Sequence, residues 1–120
     1  MKLFARALLC AGVAMMIAAV VGCAKIPPPT PLTELNPQQL NGHDVFTLHC
    51  ANCHNDRNNK PLNGPSLMGI FKKQYLPSGA PANDDRVLAA INFGYNMMPA
   101  LGSTMTPDER QDVLAYLHTL

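Results

Sequence analysis

A small all-α domain is what this sequence predicts, on three observations. Two stretches, Asn36-Pro37 and Thr106-Pro107-Asp108-Glu109, read as helix starts, each a capping residue followed by proline at the first helical position. Apolar residues recur behind both at the spacing of one helix face. No stretch alternates with the period of two that a half-buried strand requires.

The first helix leads from Pro37 to Cys50, with Leu40, Val45, Phe46 and Leu48 as its expected apolar side. Gly42 within it costs about 1 kcal/mol against alanine, so its presence points to a second helix crossing closely there. Residues 55–67, with Pro61, Gly64 and Pro65, read as irregular loop. Asn83-Asp84-Asp85 starts a shorter helix that turns Val87, Leu88 and Ile91 inward and stops at Gly94. The last helix follows the capping box at Thr106 and carries Val113, Leu114, Leu117 and Leu120, with Tyr116 beside them. The first and last helices are expected to cross with Gly42 and Phe46 against Val113 and Tyr116.

The chain has 120 residues, room for one small domain. Lys2 and Arg6 precede an apolar run from Leu8 to Val21, and residues 1–22 read as a signal peptide. Val20-Val21-Gly22-Cys23 resembles the lipobox of bacterial lipoproteins, which implies cleavage before Cys23 and acyl chains on its sulfur and new amino terminus. The alternative is an ordinary cleavage site with a spare thiol. Cys10 lies inside the apolar run and is expected to leave with it. Pro27, Pro28, Pro29 and Pro31 make residues 23–35 read as an extended tether, which at about 3.1 Å per residue would hold the domain roughly 30–40 Å from lipid. The folded unit is expected over residues 36–120. Without Lys2 and Arg6 the formal charge passes from +1 to −1, with seven Lys plus Arg against eight Asp plus Glu. There is no basic stripe of the kind nucleic acid requires.

Cys50-Ala51-Asn52-Cys53-His54 carries the chemistry. Two thiols three apart with histidine directly after the second are the attachment signature of a c-type haem. Each sulfur can add across one porphyrin vinyl group, and the adjacent imidazole reaches the iron. A zinc site would want further Cys or His ligands at metal spacing, and no cysteine follows Cys53. A thioredoxin-like redox pair would want a βαβ setting. A structural disulfide with an incidental histidine survives only where the rest of the chain does not resemble a haem pocket.

The rest of the chain resembles class I cytochrome c. The resemblance lies in Gly42, Phe46 and Cys50-x-x-Cys53-His54 in the first helix, and in Gly64-Pro65-x-Leu67-x-Gly69 in the loop. It continues through Met98-Pro99-Ala100 to Ala115-Tyr116-Leu117 in the closing helix. It spans about Asn36 to Leu120 and implies a small all-α cytochrome c fold with its terminal helices crossing around one covalently bound haem c. It implies iron ligation by His54 and Met98, thioethers at Cys50 and Cys53, and a hydrogen bond from the His54 ring to the carbonyl of Pro65. Lys73 stands where the family often carries an arginine near a haem propionate, and Val113 replaces a common leucine. Met97 is the rival of Met98; the position directly before proline favours Met98 and leaves Met97 as packing in the pocket wall. Met68 and Met105 are expected to pack. His43, His49 and His118 are expected at the surface, with bis-histidine ligation the minor alternative.

The function this implies is one-electron transfer without conversion of a substrate. A redox protein donor and acceptor would dock at the haem edge, with Lys60, Lys72 and Lys73 as candidate steering charges. The rival reading is a permanent haem subunit of a membrane-associated oxidoreductase; a gas sensor or peroxidase would need an open sixth position. Export and the lipobox place the domain in the bacterial cell envelope on the periplasmic side, anchored to the bilayer through Cys23, with Ala24 compatible with either membrane.

Overall fold

The computed structural model describes residues 25–120. The expected signal peptide, Cys10 and Cys23, the cysteine expected to be lipidated, lie outside the described residues. Three α-helices carry the domain: α1 over Pro37–His49, α2 over Asp84–Phe93 and α3 over Pro107–Leu117. Short 3-10 turns stand at Leu32–Glu34 and Ile70–Lys72. Among the described residues there is no strand, only isolated bridges between Tyr75 and Pro81 and between Tyr95 and Met98. The all-α expectation holds. No helix among the described residues is long and apolar enough to cross a membrane.

Each helix starts where its caps dictate. The Asn36 side chain accepts from the Gln39 amide at 2.9 Å, while the Gln39 side chain accepts from the Asn36 amide at 3.0 Å. Thr106 and Glu109 exchange the same pair at the head of α3. Such boxes satisfy amides that a helix start otherwise leaves without partners, and contribute about 1 kcal/mol each. Asn83 caps α2 through the Arg86 amide, and Gly94, at φ 74°, ends it.

The crossing of α1 and α3 organises the core. A Cβ built on Gly42 would stand 1.9 Å from the carbonyl oxygen of Asp112 and 2.8 Å from Cβ of Tyr116, so only glycine admits this approach. One turn on, the Phe46 and Tyr116 rings pack at 5.7 Å between centroids, and Val113 is fully buried beside them. Leu114, Leu117, Leu120, Val87, Ile91, Ile70 and Met105 complete the core.

Two expectations about packing change. Leu40 and Leu48 do not belong to the core face of α1; Leu48 is 70% exposed. Gly42, Val45 and Phe46 form the buried stripe, and Leu48 lies two residues past Phe46, about 200° around the helix. The proline-rich segment is not a free tether over its whole length. Leu35 is buried in the core, the Thr30 amide donates to the Thr119 carbonyl at 2.8 Å, and Ile26 sits against Gly69. Proline removes amide donors but not side-chain contacts, and the one amide that Thr30 retains in this stretch is enough to pair it with the chain terminus.

Candidate functional site

The segment Cys50–His54 continues from the end of α1 as a single tight turn. The amides of Cys50 and Ala51 donate to the Phe46 carbonyl, and those of Cys53 and His54 both donate to the Cys50 carbonyl, at 3.0 and 2.9 Å. This curl turns Cys50, Cys53 and His54 toward one cleft, which His49, Met98, Pro99 and Leu101 also line. Burial first and the neighbouring Cys53 second push the Cys50 thiol up to about 11. A redox Cys-x-x-Cys pair instead depends on a lowered thiol.

Two backbone features hold the imidazole of His54. Its Nδ1 lies 2.7 Å from the Pro65 carbonyl oxygen. A carbonyl only accepts, so Nδ1 carries the proton and Nε2 keeps its lone pair for another partner. Gly64 closes the other side: a Cβ there would stand 2.4 Å from Cε1 of the ring. The loop is pinned in turn by the Gly64 amide on the Cys53 carbonyl at 2.7 Å and the Leu67 amide on the Asn55 carbonyl at 2.8 Å.

Met98 reaches the cleft by a different route. After Gly94 ends α2, Tyr95 and Met98 exchange both backbone hydrogen bonds, at 3.1 and 2.9 Å, across a turn in which Asn96 takes φ 50°. A left-handed residue of this kind is one that asparagine tolerates well. The turn leaves Met98 half-buried in the cleft and Met97 93% exposed. Met97 therefore does not pack into the pocket wall, contrary to the sequence expectation: it stands at the tip of the turn, next to the left-handed Asn96.

Of the sequence-derived site residues, the fold brings Cys50, Cys53, His54 and Met98 to one cleft, with Pro65 behind the imidazole. Lys73 is exposed just past the Ile70–Lys72 turn and is not among the cleft-lining residues. His118 is exposed, stacks on Phe71 at 3.9 Å and donates through Nε2 to Asp84 Oδ1 at 2.8 Å, while His43 packs edge-on to Tyr116. His49 and Leu101 line the cleft although the sequence reading gave neither that role; the position of His49 one residue before Cys50 was the available signal for it. A donor set of one imidazole with a free Nε2, one thioether and two thiols, in a mostly apolar cleft, suits a porphyrin attached through sulfur. Among the described residues no three His, Cys, Asp or Glu side chains gather as a separate metal site.

The family model described as cytochrome c oxidase, cbb3-type, subunit III matches residues 37–117. The chain belongs to this cytochrome c family. Cytochrome c6 of Thermosynechococcus vestitus is 32% identical over 91 residues, covering 72% of this chain and 78% of that one. The cytochrome c subunit of the cytochrome bc1 complex of Mycobacterium bovis is 34% identical over 77 residues, covering 63% of this chain and 25% of that one. Cytochrome c6 of the diatom Phaeodactylum tricornutum superimposes with a TM-score of 0.52 at 27% identity, over 66% of this chain and 88% of that one. The cytochrome thus has the small all-α cytochrome c fold and carries one covalently bound haem c with its iron. Its activity is haem electron transfer.

Proposed function

We propose that this cytochrome passes single electrons between a redox protein donor and acceptor at a membrane surface, with His54 and Met98 as the two axial ligands of its haem iron. The observation that carries the reading is the pairing in one cleft of a histidine whose Nδ1 is already committed to Pro65 with a methionine held by its own turn. When bound, the haem supplies a one-electron couple. Cys50 and Cys53 fix it through thioethers, and the Pro65 carbonyl holds the imidazole in one tautomer and raises its basicity. Met98 offers a soft thioether, which favours the ferrous state and closes the site to exogenous ligands. Lys73, exposed beside the Ile70–Lys72 turn, would meet a haem propionate as a point charge.

Residues 1–22 serve as a lipoprotein signal peptide and Cys23 carries the acyl anchor, so the domain over residues 36–120 works on the periplasmic side of the bacterial cell envelope. Support comes from Val20-Val21-Gly22-Cys23, which resembles the lipobox of bacterial lipoproteins. Two or three acyl chains hold a protein firmly, at about 0.8 kcal/mol for each buried methylene. Potentiometric titration of the holoprotein tests the carrier reading. A single reversible one-electron wave with no turnover of peroxide is expected, and peroxide consumption at enzymatic rates would overturn it.

A second reading, a permanent haem subunit of a larger oxidoreductase, is favoured by the description of the matching family as an oxidase subunit and by the bc1-complex relative. Gentle solubilisation of membranes separates the two: a carrier elutes alone, a subunit elutes with a stoichiometric complex.

A further inference from the structure

The proline-rich segment fixes how close the domain sits to the membrane. It is held at three points. Ile26 lies directly over Gly69, whose φ of 66° keeps it a glycine and where a Cβ would stand 2.3 Å from Ile26 Cγ2. Thr30 pairs with two separate parts of the domain: its amide donates to the Thr119 carbonyl at 2.8 Å, and its own carbonyl accepts from Arg57 Nη2 at 2.5 Å. Leu35 enters the core among residues of the helix crossing. The spacer is thus used up on the protein surface, and the chain leaves the domain at Ile26.

Cys23 is three residues before Ile26. An extended chain spans at most about 3.6 Å per residue, so an acyl anchor on Cys23 lies within about 11 Å of the Ile26–Gly69 contact. A free tether would allow roughly 30–40 Å. The surface at this exit carries exposed Lys25, next to Ile26, and exposed Lys72, whose amide donates to the Gly69 carbonyl at 2.9 Å. Neither forms an ion pair among the described residues.

We infer that the face around Ile26, Gly69 and Lys72 lies against the bilayer, with Lys25 and Lys72 meeting anionic phospholipid headgroups, so that the anchor orients the haem domain as well as retaining it. Lysines this near an anionic surface fall within one Debye length of it, where the attraction is strongest. This rests on acylation of Cys23 as proposed above, and the test separates the two ideas. The holoprotein as exported by its bacterial host is placed on vesicles of phosphatidylcholine and phosphatidylglycerol in roughly a 3:1 ratio. It is labelled with a membrane-impermeant amine reagent, and each lysine is followed by peptide mass spectrometry. Lys25 and Lys72 are expected to react at least several-fold more slowly on vesicles than in detergent, with exposed Lys60 unchanged. Ile26→Asp, which frees the chain as far as Thr30 and so lengthens the reach of Cys23 to about 25 Å, is expected to abolish that protection while the protein stays on the vesicles. A Cys23 peptide without acyl mass would overturn the anchor and this orientation together. An acylated, vesicle-bound protein whose Lys25 and Lys72 react as fast as in detergent would overturn the orientation alone, as would protection that survives Ile26→Asp.

Discussion

Gly64 lies flat against the imidazole of His54, so close that any Cβ on it would enter the ring's own space, 2.4 Å from Cε1 and 2.8 Å from Nδ1. The glycine and the Pro65 carbonyl thus act as a pair, one excluding other ring positions and the other bonding the one that remains. Gly64→Ala is expected to turn the ring off Pro65 and to destabilise the holoprotein by about 1–3 kcal/mol, the usual range for an overpacked site. Thermal unfolding should show it as a Tm lower by roughly 4–8 °C per kcal/mol in a domain of this size.

The helix crossing gives a second prediction in which two effects oppose. Gly42→Ala gains about 1 kcal/mol of helix propensity. It also drives a methyl to 1.9 Å from a backbone carbonyl of α3, which cannot rotate away as a side chain could. The clash should win, with a net loss of about 1–3 kcal/mol in urea unfolding and a weaker α1–α3 contact. A gain in stability would mean that the helices are free to separate.

Tyr116 joins the same crossing to the haem loop, since its buried hydroxyl donates to Asp56 Oδ2 at 2.5 Å. Burial and that hydrogen bond hold its ionisation well above the ordinary tyrosine range, so it is a donor at neutral pH. Tyr116→Phe should cost about 1.5–3 kcal/mol, the range for hydrogen bonds to charged groups, with the ring packing on Phe46 intact. Equilibrium denaturation measures this directly.

Much of the fold was legible because the signals are local. Asn36, Thr106, Pro107 and Gly94 act within one turn of their own position, and each marks a boundary that the structure reproduces. Gly42 gave away a tertiary contact only because a mid-helix glycine has so little local reason to be there. Cys50, Cys53 and His54 were legible as a motif, and their shared cleft follows from the turn they form. Leu40 and Leu48 misled because their hydrophobicity does not state which side of α1 they occupy. Met97 misled for a related reason: which way a residue points in the Tyr95–Met98 turn depends on the left-handed Asn96, and not on the side chain's chemistry. The docking of Ile26, Thr30 and Leu35 was hidden altogether, since its partners Gly69, Arg57 and Thr119 are distant in sequence and composition reports only the prolines.

Acid stability should carry the mark of the α3 cap. The Thr106 amide, and then its hydroxyl, hold the Glu109 carboxyl below its usual range. A carboxylate depressed in the folded state adds stability that is complete above its unfolded value and is lost as pH falls through the folded one. Chemical denaturation between about pH 6 and pH 3 should therefore show stability falling with acid. Glu109→Gln, which keeps an acceptor and cannot titrate, should flatten that part of the profile, and an unchanged slope would assign the acid sensitivity elsewhere.

The central claim, a closed His54/Met98 haem, is tested most directly by the optical spectrum of the ferric and ferrous holoprotein and of the ferrous form under carbon monoxide, for the native chain and for Met98→Ala. The native protein should show a methionine-to-iron charge-transfer band and no response to carbon monoxide. Met98→Ala should lose the band, bind carbon monoxide and fall in reduction potential. Rapid carbon monoxide binding by the native ferrous protein, or a charge-transfer band that survives Met98→Ala, would contradict the account.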